Sequence, residues 1–207
     1  DSAMGALRAE HGHPAPFGLK YVEIGSENRG TEYKRRFALF EAAIKAAYPD
    51  ITVISSAAVR DRPNRLEWVD GHFYADERFF LSNTMRFDAK RYPRRQAPAF
   101  VCEMGTAERE VAGTMQAAIG EACFLIGAEN NPDRVRRLAY SPVLGNTGFT
   151  LQREPLMRFF RDSVALSPSY YVWQLFATHR GDRLLRSEVE TYQRSSVRQG
   201  RPGLFLF

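Results

Sequence analysis

The sequence predicts an α/β fold built on a parallel sheet, and three observations lead to this prediction. Strand-like and helix-like segments follow one another in the order strand, helix, strand, strand, strand, helix, strand, helix. The strands are apolar enough for burial on both faces, which is typical of parallel sheets. Three of the strands carry polar and small residues at their C-terminal ends, where parallel sheets and barrels hold their ligand sites.

Five segments have the composition of strands, with β-branched or aromatic residues and few internal charges. They are residues 20–24, 51–58, 66–75, 99–106 and 135–144. Gly25 interrupts the first segment, directly before Ser26 and Glu27. The connection over residues 76–98 is long for a crossover, so we expect it to hold a further helix or a functional loop. A long loop is expected after the fifth strand.

Three segments have apolar residues at helical spacing. They are residues 31–48, 108–131 and 167–182. We expect Thr31 to cap the first helix and Pro49 to end it. In the last helix, Ser167 is the expected cap, Pro168 occupies the first position and Gly181 stops the helix.

Composition excludes several classes of protein. The net charge of +5 comes from basic residues scattered over many segments, which favours a solvated surface over a nucleic-acid interface. No apolar run approaches the roughly 20 residues that a membrane span needs, so neither a membrane nor a nucleic acid is an expected partner. Cys102 and Cys123 lack metal-ligand spacing and do not form a disulfide framework. They leave the compartment open, and we favour a secreted or periplasmic location over the cytoplasm.

Polar residues gather at the ends of three strands. The three groups are Gly25, Ser26 and Glu27; Asp70, His72 and Tyr74; and Cys102, Glu103 and Gly105. In a parallel α/β sheet or barrel, Glu27 and Glu103 would converge at one mouth, and carboxyl groups about 5 to 5.5 Å apart serve retaining glycosidases. Each glutamate can also be a helix N-cap partner or a surface ion-pair member. Spacing alone therefore predicts only a carboxylate-lined α/β site.

Other candidates are weaker. His11 and His13 have a spacing that metals use, but no nearby cysteine completes a site, so a loop role is favoured. Cys102 could act as a thiol nucleophile, but its apolar neighbours favour an inert buried thiol. His179 suits the C-terminal end of the last helix, where its charge would complement the helix dipole.

Several stretches resemble the α-L-arabinofuranosidases of glycoside hydrolase family 51, in order along the chain. "GALRAEHGHPAPFGLKYVEIGSEN" is similar to the segment around the family's acid/base, "VDGHFYADERFF" to its Asp-x-His-Tyr-Tyr segment, and "FVCEMGT" to its nucleophile strand. The later helix, strand and final helix also match. The resemblance covers nearly all of residues 3–182.

The resemblance implies a (β/α)8 barrel beside a β-sandwich, and hydrolysis of terminal α-L-arabinofuranosyl groups with retention of configuration. Glu27 would be the general acid/base on barrel strand four, and Glu103 the nucleophile on strand seven. His72 and Tyr74 would contact the sugar and orient the nucleophile from strand six, and Gln152 falls near a glutamine that touches the sugar. The implied partner is an arabinofuranoside-containing carbohydrate, and no metal or organic cofactor is expected.

Three positions depart from the family pattern. Ser26 replaces the asparagine whose amide contacts the sugar 2-hydroxyl, so this contact would pass through water or be lost. Cys102 replaces a glycine and adds bulk before the nucleophile, and Met104 replaces an aromatic residue. These changes would shift substrate preference or reduce activity while both carboxylates stay in place.

The resemblance also predicts the domain organisation. Residues 1–182 would form strands four to eight of the barrel, and residues 183–207 a linker and the first strand of a β-sandwich. Half a barrel has open edges, so we expect the chain alone to be inactive unless a homo-oligomer or a complementing N-terminal barrel half supplies the rest. Two alternatives stay open: a non-catalytic carbohydrate-binding or assembly fragment, and a related glycosidase acting on another furanoside or a β-glucan.

Overall fold

The computed structural model describes residues 2–59, 66–91, 96–149 and 153–185. The helices in these residues are α1 (Ala3–Glu10), α2 (Gly30–Ala47), α3 (Glu77–Ser82), α4 (Met115–Glu129) and α5 (Pro168–Thr178). The strands are β1 (Tyr21–Ile24), β2 (Thr52–Ser55), β3 (Trp68–Ala75), β4 (Ala99–Thr106), β5 (Val135–Tyr140), β6 (Leu144–Asn146), β7 (Met157–Phe160) and β8 (Ser163–Leu166). The chain forms two compact units, Asp1–Asp70 and Gly71–Phe207.

The main strands are parallel and follow the order of the chain. β1 pairs with β2, β2 with β3 and β4 with β5, all in parallel, and the strand order is β1-β2-β3-β4-β5. Successive parallel strands separated by helices are the arrangement of a (β/α)8 barrel, of which five strands make up a part. The predicted α/β class and partial barrel are therefore confirmed. The predicted start of a β-sandwich falls almost entirely outside the described residues.

In the first unit, one tyrosine joins α2 to the ends of β1 and β2. The Tyr33 hydroxyl donates to the Ile24 carbonyl oxygen at 2.8 Å and accepts from the Ser56 backbone N–H at 2.8 Å. It also lies 3.0 Å from Ser55 Oγ. Phe37, one helical turn later, is buried on the same side of α2. Both strand ends are thereby attached to the helix that follows β1.

The second unit has its core between β4 and the helices α3 and α4. Phe124 of α4 is fully buried, and four other phenylalanine rings contact it at centroid distances of 5.5 to 6.4 Å. They are Phe73, Phe79, Phe80 and Phe87. Val101 and Met104 of β4 are fully buried in the same cluster. Burying each of these side chains stabilises the fold by roughly 1.5–3 kcal/mol.

A buried carboxylate joins α4 to the end of β4. Glu121 has no exposed surface, and its Oε1 accepts from both the backbone N–H and the hydroxyl of Thr106, each at 2.9 Å. Burial raises the pKa of the Glu121 carboxyl, although the hydrogen bonds from Ser169 and Thr106 oppose that shift. The charge of Glu121 therefore costs stability, while its oxygen holds the last residue of β4.

Most element predictions are confirmed, and the errors lie mainly at element ends. α3 occupies the long 76–98 connection, as expected, and Ser167 caps α5 by accepting from the Tyr170 N–H at 3.2 Å. The predicted Thr31 cap is wrong, because α2 begins at Gly30 with Arg29 in the cap position. The 108–131 helix begins late, at Met115, because Thr114 caps it and the residues before it form turns.

One helix and one small three-stranded sheet were not predicted. The helix is α1, and Ser2 caps it by accepting from the Gly5 N–H at 3.1 Å. The expected loop after β5 contains a small sheet in which β6 pairs in parallel with β7 and β7 pairs antiparallel with β8. Its strands are three or four residues long, too short for alternation to stand out in the sequence. Among the described helices, none combines the length and hydropathy of a membrane span.

Gly127 is required where α4 meets the backbone after α3. A Cβ at this position would overlap the Thr84 carbonyl oxygen. We expect Gly127→Ala to lower the free energy of unfolding of the full-length protein by about 1–3 kcal/mol, because α4 must move away. Gly5→Ala in α1 is the matched control, since the nearest atom is the rotatable Ser2 hydroxyl at 3.3 Å. Urea unfolding measures the stability of both variants. The same unfolding midpoint for Gly127→Ala and Gly5→Ala would contradict the close contact.

Glu121 also predicts a pH dependence of stability. Because burial raises its pKa in the folded state, its stabilising contribution is full below the unfolded pKa of about 4.3 and is lost as pH rises through the folded pKa. Glu121→Gln keeps an acceptor for Thr106 but does not ionise. We therefore expect the variant to gain stability relative to wild type as pH rises from 4 to 8. Unfolding curves across that range measure the difference, and a constant difference would contradict the prediction.

Candidate active site

The second unit brings three of the predicted site residues together. His72 and Tyr74 lie two residues apart on β3, so both side chains project from the same face of the strand. Glu103 lies on β4, and the strand continues for three more residues to Thr106. All three side chains are half-buried, so they line a surface that solvent and a ligand can reach.

Tyr74 holds the Glu103 carboxylate directly. Its hydroxyl donates to Glu103 Oε2 at 2.5 Å, a short distance typical of a hydrogen bond to a charged oxygen. Burial of the ring, reinforced by this hydrogen bond, raises the pKa of the Tyr74 hydroxyl. The phenol therefore stays protonated at neutral pH and serves as a permanent donor to one carboxylate oxygen.

His72 lies between Glu103 and Cys102. Its Nδ1 is 3.6 Å from Glu103 Oε2, and its Nε2 is 3.2 Å from Cys102 Sγ. A neutral imidazole carries one proton, so its tautomer decides which nitrogen donates. The ring lies near the same carboxylate oxygen that Tyr74 binds.

An irregularity in β4 explains how Cys102 and Glu103 both reach His72. Consecutive residues of a regular strand point to opposite faces, yet these two are half-buried between the fully buried Val101 and Met104. The register of β4 with β5 shifts between Val101 and Met104. A β-bulge at this point re-aims side chains, a common feature beside active sites. The sequence carries no signal for it.

Cys102 is not the inert buried thiol that its apolar neighbours predicted. It is only partly buried, and its Sγ contacts the imidazole of a site residue. Cys123 is buried in α4, and burial raises the pKa of its thiol, so Cys123 is the unreactive cysteine of the two. Within the second unit, the His72 nitrogen near Cys102 is Nε2, and the one near Glu103 is Nδ1. A single metal ion could therefore not bind His72 together with both Cys102 and Glu103.

Ser26 and Glu27 lie in the first unit, in the turn that follows β1. Gly25 has φ +86°, and a Cβ there would overlap Asn28 Oδ1, which accepts from the Ser26 N–H at 3.0 Å. Glu27 is exposed and itself has φ +54°, a left-handed conformation that is uncommon outside glycine. Arg29 occupies the N-cap position of α2, so Glu27 is not itself the cap residue.

Gln152 lies outside the described residues, but its neighbour Arg153 is in the site. The Arg153 Cζ lies 3.5 Å from the centroid of the Tyr74 ring, close enough for a strong cation–π contact. Sequence reasoning missed this residue because an arginine in a predicted loop looks like solvated surface. The only available signal was its position beside Gln152.

Comparison with known proteins identifies related sequences over the whole described chain. A family model described as "Alpha-L-arabinofuranosidase 1 domain" matches residues 1–94, and one described as "Alpha-L-arabinofuranosidase C-terminal domain" matches residues 89–201, more than half of the chain. An extracellular exo-α-L-arabinofuranosidase of Streptomyces chartreusis is 35% identical over 203 residues, which cover 92% of this chain and 24% of that protein. α-L-Arabinofuranosidase 2 of Arabidopsis thaliana is 36% identical, with 92% and 28% covered.

Solved structures show the same relationship. An arabinose-bound α-L-arabinofuranosidase designated MgGH51 aligns with a TM-score of 0.80 and 29% identity, covering 92% of this chain and 33% of that one. The arabinofuranosidase from Thermotoga maritima aligns with a TM-score of 0.71 at 17% identity, which shows a shared fold. The chain thus spans about a quarter to nearly half of the length of these relatives. The chain belongs to the α-L-arabinofuranosidases of glycoside hydrolase family 51.

Proposed function

We propose that the full-length protein carrying these residues removes terminal α-L-arabinofuranosyl groups from arabinose-containing polysaccharides or oligosaccharides by a retaining double displacement. The observation that carries the proposal is the Glu103 carboxylate, whose Oε2 accepts from Tyr74 at 2.5 Å and lies 3.6 Å from His72. A carboxylate held by one oxygen keeps the other for attack. The names of the relatives support the same class of substrate. One of them is named extracellular, which supports a secreted location.

In the first step, Glu103 attacks the anomeric carbon while Glu27 donates a proton to the leaving glycosidic oxygen. The products are a glycosyl ester on Glu103 and a free alcohol on the rest of the substrate. In the second step, Glu27 takes a proton from water, and the water oxygen attacks the anomeric carbon, breaking its bond to Glu103 and releasing the Glu103 carboxylate. Arabinose leaves with its original configuration, and both glutamates return to their starting states.

Tyr74 and His72 have different tasks in this mechanism. The Tyr74 hydroxyl stabilises the charge of Glu103 before attack and must release part of that interaction as the ester forms. His72 lies near the same carboxylate oxygen and beside Cys102 Sγ. Ser26 lies next to Glu27 and offers one hydroxyl toward a substrate, where the family pattern has an amide. Tyr74, His72, Cys102 and Ser26 thus adjust a reaction that Glu27 and Glu103 perform.

Removing the nucleophile tests the assignment of Glu103. We expect Glu103→Ala in the full-length protein to lower hydrolysis of p-nitrophenyl α-L-arabinofuranoside by about a thousandfold or more. Added azide should fill the space left by the carboxylate and restore turnover, giving a glycosyl azide of inverted anomeric configuration. Glu110→Ala, an exposed glutamate outside the site, is the control. Unchanged activity in Glu103→Ala, or no rescue by azide, would count against the nucleophile role.

The role of Glu27 predicts a dependence on the leaving group. A general acid contributes about 10²–10⁴-fold when the leaving oxygen needs a proton. We expect Glu27→Ala to lose activity by that factor on an arabino-oligosaccharide and to lose much less with a p-nitrophenolate leaving group. Steady-state kcat/KM values on the two substrates measure this, with Glu10→Ala on α1 as the control. A uniform loss on both substrates would refute the acid role, and an inactive wild type would favour a non-catalytic carbohydrate-binding fragment.

A further inference from the structure

Arg153 places a positive charge beside the proposed nucleophile. Its Cζ lies 3.5 Å from the centroid of the Tyr74 ring, and the hydroxyl of that ring donates to Glu103. The two contacts use different parts of Tyr74: the ring face meets Arg153, and the hydroxyl meets Glu103. A cation thus lies on the ring whose hydroxyl binds the carboxylate, although hydrolysis of a neutral arabinofuranoside needs no cation there.

The backbone that carries Arg153 is firmly held. The carbonyl oxygen of Glu154 accepts from the Tyr140 hydroxyl at 3.2 Å. The Glu154 carboxylate accepts two hydrogen bonds from Arg158, one of them from Nε at 2.8 Å. Pro155 and Leu156 are buried. Arg153 therefore projects from an anchored segment, and its side chain is additionally positioned by stacking on Tyr74.

The guanidinium keeps its hydrogen-bond donors available. Among the residues that the structure describes, Arg153 makes no hydrogen bond or ion pair, and its side chain is exposed. The adjacent carboxylate cannot neutralise it, because Glu154 is engaged by Arg158. Stacking occupies the face of a guanidinium and leaves its N–H groups pointing outward at the edge. Such an edge matches a carboxylate, which accepts two parallel hydrogen bonds.

We propose that Arg153 forms a subsite for the carboxylate of a uronosyl unit, so that the enzyme prefers acidic arabinose-containing polysaccharides. The inference rests on the proposed function and specifies its substrate class. A substrate carboxylate that approached Glu103 alone would be repelled by it. Arg153 removes that repulsion and adds a directed contact, and the net charge of +5 attracts polyanions to the chain as a whole.

A matched pair of substrates tests the subsite. One is an arabinofuranosyl-substituted oligosaccharide with a uronosyl unit on a neighbouring sugar, and the other is the same compound after reduction of the carboxyl group to the neutral alcohol. We expect wild-type kcat/KM to be about tenfold or more higher on the acidic member, mainly through KM, because charged hydrogen bonds contribute at this level. The preference should shrink as NaCl is raised.

Three variants in the full-length protein separate charge from shape. Arg153→Gln should abolish the preference for the acidic substrate, and Arg153→Glu should reverse it. Arg153→Lys should retain part of it, because the positive charge stays while the two parallel N–H donors of the guanidinium are lost. The control is Arg161→Gln, an exposed arginine stacked on Phe160 at 5.0 Å. Arg161→Gln should keep wild-type kcat/KM on both substrates within about threefold.

Two results would overturn the proposal. One is a wild type without preference between the two substrates. The other is an equal loss on both substrates in Arg153→Gln, which would mean that Arg153 acts on Tyr74 and Glu103. An enzyme inactive on both substrates, and on p-nitrophenyl arabinofuranoside, would refute the proposed function instead. In that case, calorimetry still tests the subsite by measuring how the acidic and the reduced oligosaccharide bind to wild type and to Arg153→Gln. Tighter binding of the acidic oligosaccharide by wild type, lost in Arg153→Gln, would support the subsite. Equal binding of the two oligosaccharides by wild type would refute it.

Discussion

The backbone N–H and C=O groups at the end of a parallel strand have no partners in the neighbouring strands. Both units depend on side chains that bind these groups. Buried backbone groups without partners are costly, so each end needs a polar side chain from elsewhere. In the first unit, Tyr33 of α2 supplies it to the ends of β1 and β2. In the second unit, Glu121 of α4 supplies it to Thr106 at the end of β4. In both units, the helix that follows a strand provides a polar group for that strand's end.

This arrangement explains why polar residues gather at one end of the strands. Val101 and Met104 of β4 pack in the hydrophobic core, whereas Glu103 and the residues beyond the end of β1 are partly open to solvent. Glu103 lies three residues before the Thr106 anchor, and Glu27 follows β1 in a turn that only Gly25 allows. The left-handed backbone of Glu27 costs of order 1 kcal/mol, which the surrounding turn must offset.

The sequence predicts the strands and helices well because their apolar residues are forced into the core. β4 has the predicted bounds, residues 99–106, and the side-by-side placement of His72 and Tyr74 follows from the period of a strand. The bulge at Cys102 and Glu103 could not be predicted, since it depends on the register with β5. Arg153 was missed for the same reason: its partner Tyr74 is 79 positions earlier in the sequence.

The two contacts of Tyr74, with Glu103 and with Arg153, have an evolutionary consequence. The ring is shared between Glu103 and Arg153, so a change at position 74 would disturb both neighbours at once and would be selected against. The Arg153 side chain is exposed, whereas Pro155 and Leu156 of the same segment are buried, so position 153 can change without disturbing the core. Descendants of this protein can therefore diversify at position 153 through single substitutions while the older chemistry remains intact.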